Sequence, residues 1–232
     1  MKAVLCAVLC ALLVSTVSLG ARAAETVNIS ESQAVLLRPA TPTGSVILMP
    51  GGDGRIEAGP GGHIGGKKNN QLVRTRTAFV EHGLAVLVVD SDVNLAAAIK
   101  YMRKIKSPVT VIGTSRGTLR AAKGIARGAQ PDALILTSGF LSAESGSRKQ
   151  NVVAILGSPA KLPRTLVIEH RHDGCHFTKP AGVAPFIRWA GGKARVDWVD
   201  GGTTRGNPCK AKSHHGFYGI DARVVSLELG FH

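Results

Sequence analysis

Short, uninterrupted apolar runs dominate this chain, and they alternate with segments of helical periodicity. The clearest run spans residues 84–90, and others span 44–50, 109–115, 133–137 and 165–169. Runs of this length between turn-forming residues are typical of strands that are covered on both faces. Strands that alternate with helices indicate βαβ units. The fold class we expect is therefore α/β, a three-layer α/β/α sandwich with a mostly parallel central sheet.

Weaker patterns supply the other elements. Residues 35–37 and 194–199 have strand character, and the glycine-rich stretch 51–70 is predicted as a loop. Helical patterns cover 71–82, 94 to about 105, 116 to about 129, about 181–190 and 221–229. Asn94 is a candidate N-cap for the second of these helices, and Gly83 is a candidate C-cap for the first.

The first 23 residues have the pattern of an export signal. Lys2 precedes an apolar run from residue 3 to about 14, and Ala21 and Ala23 suit cleavage after Ala23. The run is shorter than the ~20 residues that a membrane-spanning helix needs. We expect residues 1–23 to be a cleaved signal peptide and 24–232 to be a single domain, periplasmic or secreted, with no stable membrane anchor.

The charge balance is strongly basic, with 29 Lys and Arg against 15 Asp and Glu. Aromatic residues make up only 4% of the chain, so the stacking platforms that nucleic-acid binding uses are scarce. We therefore expect no nucleic-acid partner. Basic residues are spaced for one face of the predicted helix at 116–129, which we interpret as a solvated face: Arg116, Arg120, Lys123 and Arg127.

One of the strands ends in the pentapeptide Gly113-Thr114-Ser115-Arg116-Gly117, and a helical segment follows it. A serine on a sharp strand-to-helix turn has a strained backbone, and the flanking glycines leave room for tight packing. The turn also lies at the carboxyl end of a predicted parallel sheet, where ligands bind. Ser115 is therefore a candidate nucleophile.

This pentapeptide, followed by an acid after a later strand and a histidine near the C-terminus, resembles the α/β-hydrolase superfamily. The His215-Gly216-Phe217 triplet is similar to the catalytic-histidine loop of dienelactone-hydrolase-like members. The resemblance implies a catalytic triad in the chain order serine, acid, histidine. It assigns Ser115 as nucleophile, Asp173 as acid with Asp200 in reserve, and His215 as base with His214 as the alternative.

The resemblance also implies an oxyanion hole and a reaction. The backbone N–H of Arg116 would be one donor, and Gly52 or Asp53 would supply the second. Acyl transfer to serine then predicts a serine hydrolase, of the carboxylic ester class, with a small-molecule acyl substrate and no cofactor. The short connection between the strands at 133–137 and 165–169 leaves no room for a large cap domain.

Cys175 and Cys209 are the two cysteines that remain after removal of the signal. Two cysteines in an exported protein predict a disulfide. Because Cys175 follows Asp173 and Cys209 precedes His215, this bond would tether the acid loop to the base loop.

Two other functions fit parts of the sequence. A zinc-dependent hydrolase would draw ligands from His170, His172, Asp173, Cys175 and His176, with Cys209, His214 and His215. The order resembles the His-x-His-x-Asp-His motif of metallo-β-lactamase-like hydrolases, with different spacing. The other alternative is a non-catalytic binding protein on the same fold. Residues 61–68 approach a phosphate-binding P-loop, but Lys68 stands where Ser or Thr is needed.

Overall fold

A central β-sheet organises the structure, which is a computed structural model that describes residues 23–232. The predicted signal segment thus lies outside the described residues, apart from Ala23. The strands are β1 (Glu25–Ile29), β2 (Ser32–Leu37), β3 (Gly44–Met49), β4 (Ala58–Gly59), β5 (His63–Ile64), β6 (Leu84–Val89), β7 (Val109–Thr114), β8 (Ala133–Thr137), β9 (Arg164–His170) and β10 (Ala194–Val199). Eight of them form one sheet in the order β1-β2-β6-β3-β7-β8-β9-β10.

The sheet is parallel from β6 to β10, and β1 and β2 are antiparallel additions at one edge. Strands β4 and β5 pair only with each other, as a small hairpin. The helices are α1 (Gln71–Arg74), α2 (Arg76–Glu81), α3 (Leu95–Ile105), α4 (Arg116–Ala126), α5 (Val152–Leu156), α6 (Val183–Trp189) and α7 (Asp221–Leu229). This is the predicted three-layer α/β/α sandwich.

Alternate residues of the strands build two separate cores, one on each face of the sheet. In β3, Ile47 belongs to the core that includes residues of α3 to α6, whereas its neighbour Leu48 belongs to the core that includes residues of α1, α2 and α7. Both side chains are fully buried. The continuous apolar runs are therefore explained by burial on both faces. The carboxyl ends of the parallel strands meet at one edge of the sheet and carry the loops that contain Ser115 and Asp173.

The structure differs from the sequence prediction in several places, one of which is helix α5, where no helix is predicted. The predicted helix at 71–82 is divided at Thr75, whose hydroxyl donates to the carbonyl of Gln71 at 2.7 Å and competes with the helical backbone bonds. The loop at 51–70 contains the β4–β5 hairpin. Strand β1 is absent from the prediction, because only Ile29 of this edge strand is buried and its residues lack an apolar run.

Within residues 23–232, every helix is too short or too polar to cross a bilayer.

Candidate active site

Ser115 lies on the turn between β7 and α4 with φ 53° and ψ −122°, a backbone conformation that non-glycine residues rarely adopt. Its backbone N–H donates to the carbonyl of Thr137 at the end of β8, at 2.9 Å. A side chain at Gly117 would collide with the carbonyl of Met49, so α4 can approach β3 only because that residue is glycine. The predicted strand-to-helix elbow is present, and the candidate nucleophile has a strained backbone.

His215 and Asp173 form a buried pair at the same edge of the sheet. His215 Nδ1 lies 2.9 Å from Asp173 Oδ2, and the two side chains are 6% and 0% exposed. His215 comes from a 3₁₀ turn, His214–Gly216, and Asp173 from the loop after β9. A carboxylate bound to Nδ1 fixes the tautomer that leaves Nε2 free to accept a proton.

Thr178 completes a hydrogen-bonded triangle with this pair. Its hydroxyl lies 3.1 Å from Asp173 Oδ2 and 3.0 Å from His215 Nδ1, and the residue is fully buried. Asp173 Oδ1 accepts the backbone N–H of Cys175 at 2.8 Å. Both carboxylate oxygens of Asp173 thus have donors, as a buried carboxylate requires.

Two further links fix the loop that carries His215. The hydroxyl of Ser138, at the end of β8, donates to the carbonyl of His215 at 2.8 Å. A disulfide joins Cys175 to Cys209, so the acid loop and the base loop are covalently connected. The position of the imidazole is therefore determined by β8, by the acid loop and by the disulfide together.

A second carboxyl group lies next to Asp173. Glu169, near the end of β9, is fully buried, and burial together with the neighbouring charge of Asp173 raises the pKa of Glu169 well above its usual range. Its carboxylate oxygens have no hydrogen-bond partner among the described residues. The raised pKa favours the neutral, protonated form of Glu169.

Ser115 and His215 line a common pocket of about 170 Å³. Among the hydrogen bonds of residues 23–232, none joins these two side chains, and such bonds often tighten only when substrate binds. The remaining walls are largely polar or glycine: Gly51, Gly52, Lys67, Asn70, Gln71, Thr114, Cys209, Lys210, Ala211 and Gly216. Larger pockets of about 490 and 610 Å³ contain none of the predicted site residues.

The turn after β3 lies beside the serine. A Cβ on Gly51 would be 3.0 Å from the Cβ of Ser115. Gly54 donates its N–H to the carbonyl of Gly51 at 3.2 Å, and Asp53 Oδ1 forms an ion pair with Lys67 Nζ at 2.6 Å. The hydrogen bond from Lys67 lowers the pKa of Asp53. Two of the predicted oxyanion donors, Gly52 and Asp53, thus belong to a tight turn next to the nucleophile.

Comparison with solved structures gives the fold. The α/β hydrolase GrgF from Penicillium sp. sh18 superimposes with a TM-score of 0.63 at 11% identity, covering 92% of this chain and 98% of that chain. The Pyrococcus furiosus esterase Pf2001 superimposes with a TM-score of 0.61 at 15% identity, covering 92% of this chain and 89% of the esterase. A dienelactone hydrolase from Anabaena variabilis ATCC 29413 superimposes with a TM-score of 0.54 at 15% identity, covering 90% of this chain and 94% of that hydrolase. The chain has the α/β-hydrolase fold.

At the level of sequence there is no such likeness: no protein-family model and no curated protein matches the chain. With identities this low, the structural similarity describes the α/β-hydrolase fold and leaves the chemistry to be argued from the residues of this chain.

The other candidate acid and base of this α/β-hydrolase fold lie elsewhere. His214 stacks on His170 with ring centroids 4.4 Å apart, and Asp200 lies 3.5 Å from His172 Nε2. Asp200 is exposed, and its hydrogen bond from the backbone of Gly201 lowers its pKa. Among the side-chain hydrogen bonds and ion pairs of residues 23–232, none joins Asp200 or His214 to the buried pair of Asp173 and His215.

The residues considered as zinc ligands are largely engaged in other bonds. Cys175 and Cys209 are oxidised to the disulfide. His170 accepts the backbone N–H of His172 on Nδ1 at 3.0 Å and donates Nε2–H to the carbonyl of Gly201 at 2.8 Å. Across residues 23–232, no group of three or more His, Cys, Asp or Glu side chains is arranged to hold a metal ion.

Ser138, Glu169, Thr178 and Arg120 lie in or beside the site and are absent from the predicted site residues. Thr178 lies in an irregular loop, where no periodicity indicates a partner. Arg120 was interpreted as part of a solvated helix face, and for this residue that interpretation is wrong: it is half-buried, and its guanidinium binds the carbonyls of Pro50 and Gly52. The helical spacing correctly places Arg120, Lys123 and Arg127 on one face of α4, but it does not reveal that the turn after β3 packs against Arg120.

Proposed function

We propose that this protein is an exported serine hydrolase of carboxylic esters. The observation that carries the proposal is the buried pair of His215 and Asp173 in one pocket with Ser115, which lies on a strained strand-to-helix turn. A nucleophile, a base and a group that orients the base are the parts that acyl transfer to serine requires. The likeness of the fold to esterases and other hydrolases supports the same conclusion.

In this proposal Ser115 attacks the ester carbonyl while His215 Nε2 accepts the hydroxyl proton. Asp173 holds Nδ1–H and stabilises the imidazolium that forms. The alcohol leaves with a proton from His215 and an acyl-enzyme remains. Water, activated by the same histidine, then attacks the acyl-enzyme and releases the acid and Ser115.

The developing oxyanion would be bound by the backbone N–H of Arg116 and by an N–H of the turn after β3. The N–H groups of Arg116, Gly52 and Asp53 have no internal acceptor within residues 23–232, so they are available to a ligand. Arg116 is the first residue of α4, where the helix dipole also favours negative charge.

The size and lining of the pocket indicate the class of ester. A volume of about 170 Å³ holds a short acyl group. The walls contain Lys67, Asn70, Gln71 and Lys210 but no large apolar side chain, so a long acyl chain would gain little from burial. We expect short, polar acyl esters to be preferred.

Export is supported by the signal-like pattern of residues 1–23 and by the disulfide, because such bonds persist in oxidising compartments. N-terminal sequencing of protein recovered from the expressing cells should give Ala24 as the first residue. Recovery with Met1 or Lys2 intact outside the cytoplasm would contradict the cleavage site.

The proposal is tested by labelling and by turnover. A fluorophosphonate should label Ser115, and Ser115→Ala should lose both the label and hydrolysis of p-nitrophenyl acetate. Thermal melting of the variant checks that it is folded. Folded wild-type protein that is not labelled would favour a non-catalytic binding protein, and activity that survives in Ser115→Ala but is lost in EDTA would favour a metal-dependent hydrolase.

A further inference from the structure

Arg120 reaches from the second turn of α4 to the turn that follows β3. Its Nη1 donates to the carbonyl of Gly52 at 3.1 Å, and its Nη2 donates to the carbonyl of Pro50. These bonds connect the helix that begins at the candidate nucleophile to the turn that lies beside it. Both partners are backbone carbonyls, so the bonds fix the backbone rather than a side chain.

The contacts determine how the peptide groups of this turn are oriented. In a trans peptide the C=O of one residue and the N–H of the next point in opposite directions. Arg120 holds the carbonyl of Gly52, and the N–H of Asp53 therefore points away from Arg120. The carbonyl of Gly51, held by the N–H of Gly54, likewise sets the direction of the N–H of Gly52. Every peptide group from Pro50 to Asp53 thus has a fixed orientation.

Arginine is well suited to this task. Its planar guanidinium presents several donors at once, whereas lysine has a single ammonium that cannot reproduce a fork. Charge-assisted hydrogen bonds also polarise the peptide groups that accept them, which makes the N–H on the other side a better donor. Burial lowers the pKa of Arg120, as expected for a guanidinium held partly away from water.

Gly54 leaves room for the guanidinium of Arg120, because it has no side chain. A Cβ at this position would lie 2.5 Å from Arg120 Nη2, and the backbone has φ 76°. A larger residue there would be strained and would displace the guanidinium. The close approach of Gly54 explains how the turn can wrap around the end of the arginine.

We propose that Arg120 is a positioning residue that holds the peptide groups of the turn after β3 in the orientation in which an N–H of Gly52 or Asp53 binds the oxyanion. This inference rests on the proposed serine-hydrolase function. Arg120 does not line the pocket of Ser115 and His215, so it acts through the turn and not on the substrate.

The far side of Arg120 is open to solvent, and this permits a direct test. The residue lines a pocket of about 490 Å³ together with Lys123 and Arg127, which lie on the same face of α4. When the side chain is truncated, a guanidinium ion can enter the vacated space from this pocket. Lys123 and Arg127 make no contact with the turn in the described structure and serve as matched controls.

The experiment measures kcat and KM for p-nitrophenyl acetate in wild type, Arg120→Ala, Arg120→Lys, Lys123→Ala and Arg127→Ala. We expect Arg120→Ala to lower kcat by roughly 10- to 100-fold with KM nearly unchanged, since removing an oxyanion donor outright costs about 100- to 1,000-fold. Arg120→Lys should recover only part of the rate, and the two control variants should stay within about twofold of wild type. Guanidinium chloride at non-denaturing concentration should restore activity to Arg120→Ala, whereas sodium chloride at equal ionic strength should not.

The outcomes separate this inference from the proposed function. Wild-type kcat in both Arg120 variants, or a loss in Arg120→Ala that guanidinium does not reverse, would overturn the role of Arg120 while leaving the serine hydrolase intact. If Arg120→Ala fails to fold, Arg120→Lys takes its place. A lower kcat with KM nearly unchanged supports the role of Arg120, and a wild-type kcat contradicts it. A wild-type protein without Ser115-dependent hydrolysis would overturn both proposals.

Discussion

The Thr178 hydroxyl lies 3.1 Å from Oδ2 of Asp173, the same oxygen that binds His215. A single buried hydroxyl therefore contacts both members of the pair at once. Its one proton goes to the carboxylate, so the hydroxyl oxygen is left to face the Nδ1–H of His215 at 3.0 Å.

Replacement of this hydroxyl should slow turnover. We expect Thr178→Val to lower kcat by roughly 5- to 20-fold, because a buried hydrogen bond to a charged group is worth about 1.5–3 kcal/mol and part of it bears on the orientation of His215. Thr178→Ser, which keeps the hydroxyl, should remain close to wild type. Equal losses in both variants, with unchanged melting temperatures, would contradict a role for the hydroxyl.

The choice of acid can be tested with two matched substitutions. Asp173→Asn should lower kcat by about 10⁴-fold, because the amide selects the wrong tautomer of the histidine. Asp200→Asn should leave kcat within about twofold, since Asp200 is exposed and faces His172. Steady-state hydrolysis of p-nitrophenyl acetate decides, and the reverse pattern would assign the acid to Asp200.

The adjacent histidines should differ in the same assay. His215→Ala removes the proposed base, and we expect kcat to fall by at least about 10³-fold. His214→Ala removes a ring stacked on His170 and should cost stability more than activity. Abolished turnover in His214→Ala, with His215→Ala active, would show that the neighbouring residue is the base.

The disulfide should stabilise the fold and the site together. A bond between cysteines 34 residues apart is expected to contribute about 3–4 kcal/mol, and its loss should lower both Tm and kcat. Reductant should produce this effect in wild type but not in the double variant Cys175→Ser, Cys209→Ser. Titration of the unfolded chain from residue 24 onward should find no free thiol before reduction and two after it.

Glu228 makes stability depend on pH in a defined direction. This residue of α7 is fully buried against Gln71, and burial raises its pKa from 4.5 to about 8. The folded state therefore keeps a proton that the unfolded chain loses, so this contribution is complete below pH 4.5 and is lost as pH rises towards 8. The slope is about 1.4 kcal/mol per pH unit, at most about 5 kcal/mol in total.

Urea unfolding at pH 5, 7 and 9 measures this effect. Glu228→Gln should be less sensitive to alkaline pH than wild type, because an amide has no proton to lose. The exposed Glu81→Gln should follow wild type at all three values. Parallel curves for wild type and Glu228→Gln would contradict a buried, protonated Glu228.

Much of the fold follows from the sequence because burial on two faces leaves a strong pattern. The strands at 133–137 and 194–199 and the helix at 221–229 have the predicted bounds. The edge strand β1 was missed since its stability comes from backbone pairing with β2, to which side-chain polarity gives no clue. Local hydrogen bonding at Thr75 likewise divided a helix that periodicity alone predicts as continuous.

For the site, residue type and chain order indicate candidates but not which of two neighbours is used. Residue type does not separate His214 from His215, since both lie in the same short turn, and only the resemblance of the His215-Gly216-Phe217 triplet favours His215. The tertiary structure separates them, because one ring turns inward to Asp173 and the other stacks outward on His170. Thr178 and Arg120 bond to loop residues that come together only in the folded chain.

For the proposed exported hydrolase, the bond between Cys175 and Cys209 has a consequence for when activity would arise. In the reducing cytoplasm the loop that carries His215 would lack its covalent anchor, and a newly made chain would reach its working geometry only after meeting an oxidant. Hydrolytic capacity would then be withheld from intracellular esters during synthesis. In the proposed function, oxidation outside the cytoplasm would thus be the step that completes the site.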